Sequence, residues 1–245
     1  MSSILITGAD GGIGLAMVKN ALSHKPSKNI IATVRGRPSP ELLDMSNCKP
    51  ERLVIIGMDI TNEDSISKAT ERTRALDYSI SIAINCAGIL HGNSIRPEKR
   101  LSDLTLASMK KVFEINTFGP MAVAKHMEKC LVKNELKWIN LTAKVGSIGD
   151  NHLGGWYSYR SSKTALNMMT KTLAIEFART KKNSCCIALH PGTTDTKLSK
   201  PYQSNRIKNL NTTAVTASRL WKIIDAVTPN DTGKFFSWDG NEIEW

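Results

Sequence analysis

The chain has 245 residues and a mass of 27.0 kDa, with 41% apolar and 22% charged side chains; this composition suits a single α/β domain over 1-245 and excludes a disordered or low-complexity chain. The net charge of +11 and pI near 9.5 raise nucleic acid as a partner. However, the basic residues are spread over many segments without interleaved aromatics, so no nucleic-acid and no membrane partner is expected.

Five cysteines (Cys48, Cys86, Cys130, Cys185, Cys186) are odd in number and have no C-x-x-C spacing, and the five histidines have no metal-ligand spacing. Neither a disulfide framework nor a metal site is expected. Met1-Ser2-Ser3 carries no charged n-region, and no apolar run approaches membrane-spanning length; a soluble, cytoplasmic protein is the expectation.

Ile4-Leu5-Ile6 reads as a buried strand, and the segment Thr7 to Gly14, with Gly8, Asp10, Gly11, Gly12 and Ile13, turns it into a helix through Leu15, Val18 and Leu22. Glycines there let the backbone approach a pyrophosphate, and the helix N-terminus offers free N–H groups to phosphates. The spacing Gly-x-x-x-Gly-x-Gly departs from the usual dinucleotide fingerprint, Gly-x-Gly-x-x-Gly, so a plain tight turn is the alternative. A second strand, Asn29 to Val34, ends in Arg35-Gly36-Arg37, where an acid is expected if a ribose 2′-hydroxyl is held. Arginine suits a 2′-phosphate, so Arg35 favours NADP(H) over NAD(H).

Leu53 to Gly57 reads as a strand leading to Asp59 and Ile60. A helix follows over Glu63 to Leu76, then a strand over Ser81 to Asn85 that ends in Cys86-Ala87-Gly88. Strand ends are where ligands sit, which places Asp59 and Asn85 near a crevice, although both residue types also simply form turns. One long helical region is predicted from Leu104 towards Leu131. Asn116 lies on its apolar stripe, and its amide must find backbone groups near Gly119-Pro120 or a catalytic water.

Lys137 to Thr142 gives a fifth strand, Tyr157 to Thr180 a helix, and Ser184 to His190 a sixth strand broken by Pro191-Gly192. Beyond lie Thr193 to Thr196, a loop from Lys197 to Asn209 expected to form much of a substrate lid, a helix over Thr213 to Val227, and a seventh strand over Gly233 to Trp238. Alternating strands and helices imply a doubly wound sheet of about seven parallel strands, with helices on both faces. On the Tyr157 to Thr180 helix, Tyr159 and Lys163 stand four apart and project from one face. A cation beside a phenol favours phenolate, lowering its pKa from about 10 towards neutrality, as general acid/base work on an alcohol or ketone requires.

In order along the chain, Thr7-Gly8 to Gly14, Asp59, Asn85-Cys86-Ala87-Gly88, Asn116, Tyr159 with Lys163, and Pro191-Gly192 to Thr196 resemble the motifs of the short-chain dehydrogenase/reductase family. Gly146 to Asn151, Gly154-Gly155-Trp156 and the segment Trp238 to Trp245 resemble its C-factor and Sniffer-like subgroup. The resemblance implies a Rossmann-type fold and hydride transfer between NADPH and a small-molecule carbonyl or alcohol. It also implies cofactor contacts from Gly8, Asp10, Gly12, Ile13, Gly14, Arg35, Asp59, Ile60, Asn85, Ala87, Gly88, Pro191, Gly192, Thr194 and Thr196. Tyr159 would carry the proton, Lys163 would hold the nicotinamide ribose, Asn116 would position a water, and a homodimer or homotetramer is implied. The family's Ser-Ser-x-x-Gly reads Thr142-Ala143-Lys144-Val145-Gly146 here, so the usual catalytic hydroxyl falls on Ala143. Ser147, 12 residues before Tyr159, and Thr142 are the possible replacements, and a cofactor-binding regulatory protein with little catalysis is the alternative to an enzyme.

Overall fold

The structure is a computed structural model that describes residues 2–203 and 210–245. Its strands are β1 (Ser2–Thr7), β2 (Asn29–Val34), β3 (Leu53–Gly57), β4 (Ser79–Asn85), β5 (Lys137–Leu141), β6 (Cys185–His190) and β7 (Phe235–Ser237). They form one sheet, all pairs parallel, in the order β3-β2-β1-β4-β5-β6-β7. Parallel neighbours require crossovers, which the helices supply: α1 (Gly12–His24), α2 (Pro40–Cys48), α3 (Glu63–Ala75), α4 (Leu106–Phe113), α5 (Gly119–Met127), α6 (Tyr157–Thr180) and α7 (Thr213–Ala226).

Strand alternation divides the core into two layers. Ile4, Ile6, Ile30, Ile84, Ile139, Ile187 and Leu189 pack with Met17, Val18, Leu42, Leu220 and Trp221 of α1, α2 and α7. Leu5, Ile31, Ala83, Trp138 and Cys186 face Ile66, Val123, Met127 and Phe177 of α3, α5 and α6. Both faces are dry, so the strands read as near-continuous apolar runs. Each fully buried Ile or Leu contributes ~1.5–3 kcal/mol. The strand order reverses between β1 and β4, whose ends pair at Thr7 and Asn85; the crevice above this switch point is where such sheets take ligands.

Three elements differ from the sequence reading. Helix α2 was not anticipated, although Ser39 accepts a hydrogen bond from Leu42 N and Pro40 occupies the first helical position. The single helix expected from Leu104 to Leu131 is interrupted by a π-helical turn over Glu114–Phe118, immediately before Gly119 and Pro120. Pro120 cannot donate a helical hydrogen bond, and a Cβ on Gly119 would lie 2.8 Å from Ile60, so the backbone is drawn close at this point. The seventh strand is shorter than expected, ending at Ser237. Of the expected lid, residues 204–209, including Asn205, lie outside the described residues. Among the described residues, no helix is long and apolar enough to cross a membrane.

Candidate active site

Helix α6 is preceded by three residues in left-handed conformation, Gly154 (φ 61°), Gly155 (φ 64°) and Trp156 (φ 51°). The chain thereby turns sharply and delivers Tyr159 and Lys163 to the sheet side of the helix, where both are buried. Lys163 Nζ donates to the Leu141 carbonyl at the end of β5 (3.0 Å) and lies 5.9 Å from the Tyr159 ring centroid. Burial pushes the Tyr159 phenol up to about 12 and the Lys163 ammonium down to about 8. This corrects the expectation that the cation beside it brings the phenol towards neutrality: in the chain itself burial sets the direction, and the ammonium is directed at a carbonyl.

Asn116 is completely buried in the π-turn. It exchanges both amide bonds with Ile89, accepting from its N–H (2.8 Å) and donating to its C=O (2.9 Å). It also donates to Ser162 Oγ (3.1 Å), which in turn donates to the Tyr159 carbonyl (2.8 Å). The backbone partner is Ile89, not a group near Gly119-Pro120. A Cβ on Gly88 would stand 3.4 Å from Asn116 Oδ1 and 3.6 Å from Lys163 Nζ, so Gly88, Asn116 and Lys163 converge. Asn85, by contrast, turns its amide into the interior, donating to Asn140 Oδ1 (2.7 Å) and accepting from Thr7 (3.4 Å).

The three positions weighed for a hydroxyl separate clearly. Ala143 is extended (φ −147°, ψ 146°) and half-buried after β5. Thr142 is buried, with its hydroxyl directed at the Lys163 carbonyl (3.5 Å). Ser147 ends a tight turn over Lys144–Gly146, and its Oγ accepts from Asp150 N (3.1 Å). That bond uses a lone pair and leaves the O–H proton free to be donated. The turn is pressed against α6: a Cβ on Gly146 would meet Lys163 Cβ at 2.9 Å, and Gly146 O accepts from Thr164 Oγ1 (2.8 Å).

The glycine-rich turn has the shape a pyrophosphate needs. Gly8 (φ 62°) lies against Ala87, where a Cβ would be 2.9 Å from its backbone, and a Cβ on Gly14 would fall 2.1 Å from Gly8 O. Gly11 caps α1 without a side-chain acceptor, and the first turn carries no acid, so its N–H groups are uncompensated. Gly12 faces Thr196, a Cβ there lying 3.2 Å from its methyl, which brings the loop after β6 over the turn. Asp10 accepts from Ser39 N (2.5 Å) and so ties the turn to the start of α2. Asp59 is pushed up by burial but more strongly down by Thr61 N–H, the Thr61 hydroxyl and Arg35, for a net lowering. Exposed Arg35 therefore shares an edge with Asp59. Of the remaining positions, Ile60 packs on Gly119, Ile13 is half-buried against the α1 layer, and Thr194 is buried with its hydroxyl paired to Thr216 (2.9 Å). Gly192 (φ 76°), after Pro191, abuts the Trp238 ring. The residues present thus fit a dinucleotide.

Two contributors were not singled out for a role in the sequence. Glu98 sits inside the basic run Arg96 to Arg100, yet it is 2% exposed and binds the first turn of α6. Trp156 stands edge-on to Tyr159 (6.1 Å, 81°) and to Tyr202 (5.2 Å, 67°), and Tyr202 in turn meets His91 (5.7 Å). Only a lone acid amid four neighbours of opposite or no charge, and the aromatic after Gly-Gly, signal them in the sequence.

The short chain dehydrogenase family model matches residues 2–207. The chain is 28% identical, over all of both chains, to 1-hydroxy-2-glutathionyl-2-methyl-3-butene dehydrogenase of Rhodococcus sp.. It is 31% identical to C-signal of Myxococcus xanthus over 59% of this chain and 83% of that one. Among solved structures it is similar to the NADPH-bound carbonyl reductase from chicken fatty liver (TM-score 0.86, 28% identity, 99% and 98% of the two chains). It is also similar to the carbonyl reductase Sniffer of D. melanogaster (TM-score 0.87, 26% identity, 100% of both). Sheet order, the convergence of Tyr159, Lys163 and Asn116, and these likenesses agree: the chain belongs to the short-chain dehydrogenase family, in its C-factor and Sniffer-like subgroup.

Proposed function

We propose that this oxidoreductase transfers hydride between NADP(H) and a small-molecule carbonyl or alcohol, with Tyr159 giving or taking the proton on the substrate oxygen. The observation that carries the reading is the burial of Tyr159 and Lys163 together, beside Gly88 and Asn116, above the switch point of the sheet. When bound, the nicotinamide supplies or accepts the hydride. Gly8, Gly12, Ile13 and Gly14 would carry the pyrophosphate, Asp59 and Ile60 the adenine end, and Ala87, Gly88, Pro191, Gly192, Thr194 and Thr196 the nicotinamide side. Arg35 beside Asp59, together with the NADPH held by the chicken reductase, supports the phosphorylated cofactor. Lys163, anchored on Leu141 O, would hold the nicotinamide ribose, and its ammonium would favour the Tyr159 phenolate against the burial that pushes the phenol up. Ser147 is the hydroxyl that polarises the substrate oxygen, because Thr142 is committed to the Lys163 carbonyl and Ala143 has none.

The same reading takes 1-245 as one domain acting in the cytoplasm. A homodimer or homotetramer through α4, α5 and α6 is supported by Leu106, Phe118, Met168 and Ile175, which are exposed on that side. NADPH consumption measured with a panel of aldehydes, ketones and quinones tests the activity, and turnover on none of them refutes it. Ala143 and the likeness to C-signal favour one other reading, a regulatory protein that binds the cofactor without chemistry. It predicts NADPH binding with no turnover.

A further inference from the structure

Helix α6 carries the reactive residues but lacks a cap of its own. Its N-cap residue is Trp156, which offers no side-chain acceptor, and its first turn contains no acid. The missing acceptors come from Glu98, 60 residues earlier: one carboxylate oxygen accepts from Ser158 N (3.1 Å) and the other from Ser158 Oγ. The Glu98 carbonyl also accepts from Trp156 N (2.5 Å). A carboxylate at 2% exposure is costly to bury unless its lone pairs are used, and here each oxygen has a donor at the positive end of the helix. The segment bearing Glu98 is itself fixed, since Asp103 accepts from the N–H groups of Lys99 (3.1 Å) and Arg100 (3.0 Å).

This arrangement holds Trp156 in a left-handed conformation (φ 51°, ψ 44°) that a bulky side chain seldom adopts. Its ring is thereby set edge-on against Tyr159 on one side and Tyr202 on the other. We propose that Glu98 is a positioning residue whose carboxylate, by holding Ser158 and with it the first turn of α6, keeps the Trp156 ring against Tyr159 and so fixes the direction of its hydroxyl. The effect on turnover rests on the reading of Tyr159 as the proton donor; the effect on the ring cluster does not.

The test compares Glu98→Ala, Glu98→Gln and Trp156→Gly by kcat and KM for a carbonyl substrate, NADPH affinity, and near-ultraviolet circular dichroism. The band assigned to the Trp156 cluster is the difference between wild type and Trp156→Gly. Glutamine keeps an acceptor for Ser158 N and can donate to its hydroxyl, so Glu98→Gln retains the band and stays within about threefold of wild-type kcat. Glu98→Ala loses the band and lowers kcat by about tenfold or more while NADPH affinity holds, as expected when a reacting group is misaimed. Trp156→Gly relieves the backbone, so it lowers kcat with no loss in Tm. An unchanged band in Glu98→Ala overturns the proposal, as does a loss that Glu98→Gln fails to restore. Should Glu98→Ala not fold, Ser158→Ala removes one of the two carboxylate contacts, and an unaltered band there is equally fatal. A wild type inactive on every carbonyl refutes the catalytic reading, while the band still decides whether Glu98 holds Trp156.

Discussion

Replacing Ser147 with alanine separates the two explanations for the absent serine at position 143. The Ser147 hydroxyl accepts from Asp150 N at 3.1 Å, and Asp150 is exposed, so its N–H can turn to water when the hydroxyl is lost. The stability cost is then that of one solvent-competing hydrogen bond, about 0.5–1.5 kcal/mol, or a Tm shift of a few degrees for a chain of this size. If the free O–H proton of Ser147 is donated to the substrate oxygen, the loss in the transition state is about 2.7–4 kcal/mol, a fall in kcat of about 100- to 1000-fold. The assay is steady-state kcat with saturating NADPH beside a thermal melt. The expected pattern is a collapse of kcat with Tm nearly kept, NADPH affinity unaltered, and partial recovery when Ala143→Ser is added to Ser147→Ala. A kcat within about threefold of wild type in Ser147→Ala, or a hundredfold gain from Ala143→Ser alone, refutes Ser147 as the donor.

Other outcomes follow from the same geometry. Arg35→Asp should weaken NADPH binding by about tenfold or more while leaving NADH little affected, since a charge-assisted phosphate contact becomes a repulsion; equal weakening in titrations with both cofactors contradicts the assignment. Gly14→Ala places a Cβ 2.1 Å from Gly8 O, so NADPH affinity measured by fluorescence should fall sharply, with a loss of Tm. His190 lies at the end of β6 with Nδ1 buried and without a hydrogen-bond partner among the described residues, and burial, with the nearby Lys144 charge, pushes its pKa from 6.5 down to about 4. Between those values the unfolded chain binds the proton and the folded chain does not, so stability falls as pH falls from 6.5 to 4. The loss from this one group is on the order of 2–3 kcal/mol. Denaturant titrations of His190→Asn should show a flatter dependence over that window, and an unchanged slope against wild type removes His190 as its source.

The fold was legible because both faces of the sheet are dry: β1 to β6 announce themselves as apolar runs, and Gly8, Gly14 and Pro191 mark where they stop. Tyr159 and Lys163 were legible as a pair because helical spacing is a local rule. What local rules missed arises from distant partners. Asn116 gave notice of a problem amide, but only the fold reveals that Ile89 satisfies it through a π-turn. Glu98 is one acid among the basic residues Arg96 to Arg100, and its donor at Ser158 is 60 residues away, beyond any local rule. The pKa of Tyr159 is a related case: spacing showed the cation, whereas the desolvation that pushes the phenol up is a property of the packed chain.

Tyr159 is the proposed proton donor of the hydride-transfer reaction. Comparing wild type with Tyr159→Phe, in carbonyl-dependent NADPH oxidation and in NADPH binding, tests it most directly. The expected result is turnover in the wild type that falls by at least about a hundredfold in Tyr159→Phe, with NADPH affinity retained. Activity that survives the removal of this hydroxyl contradicts the account.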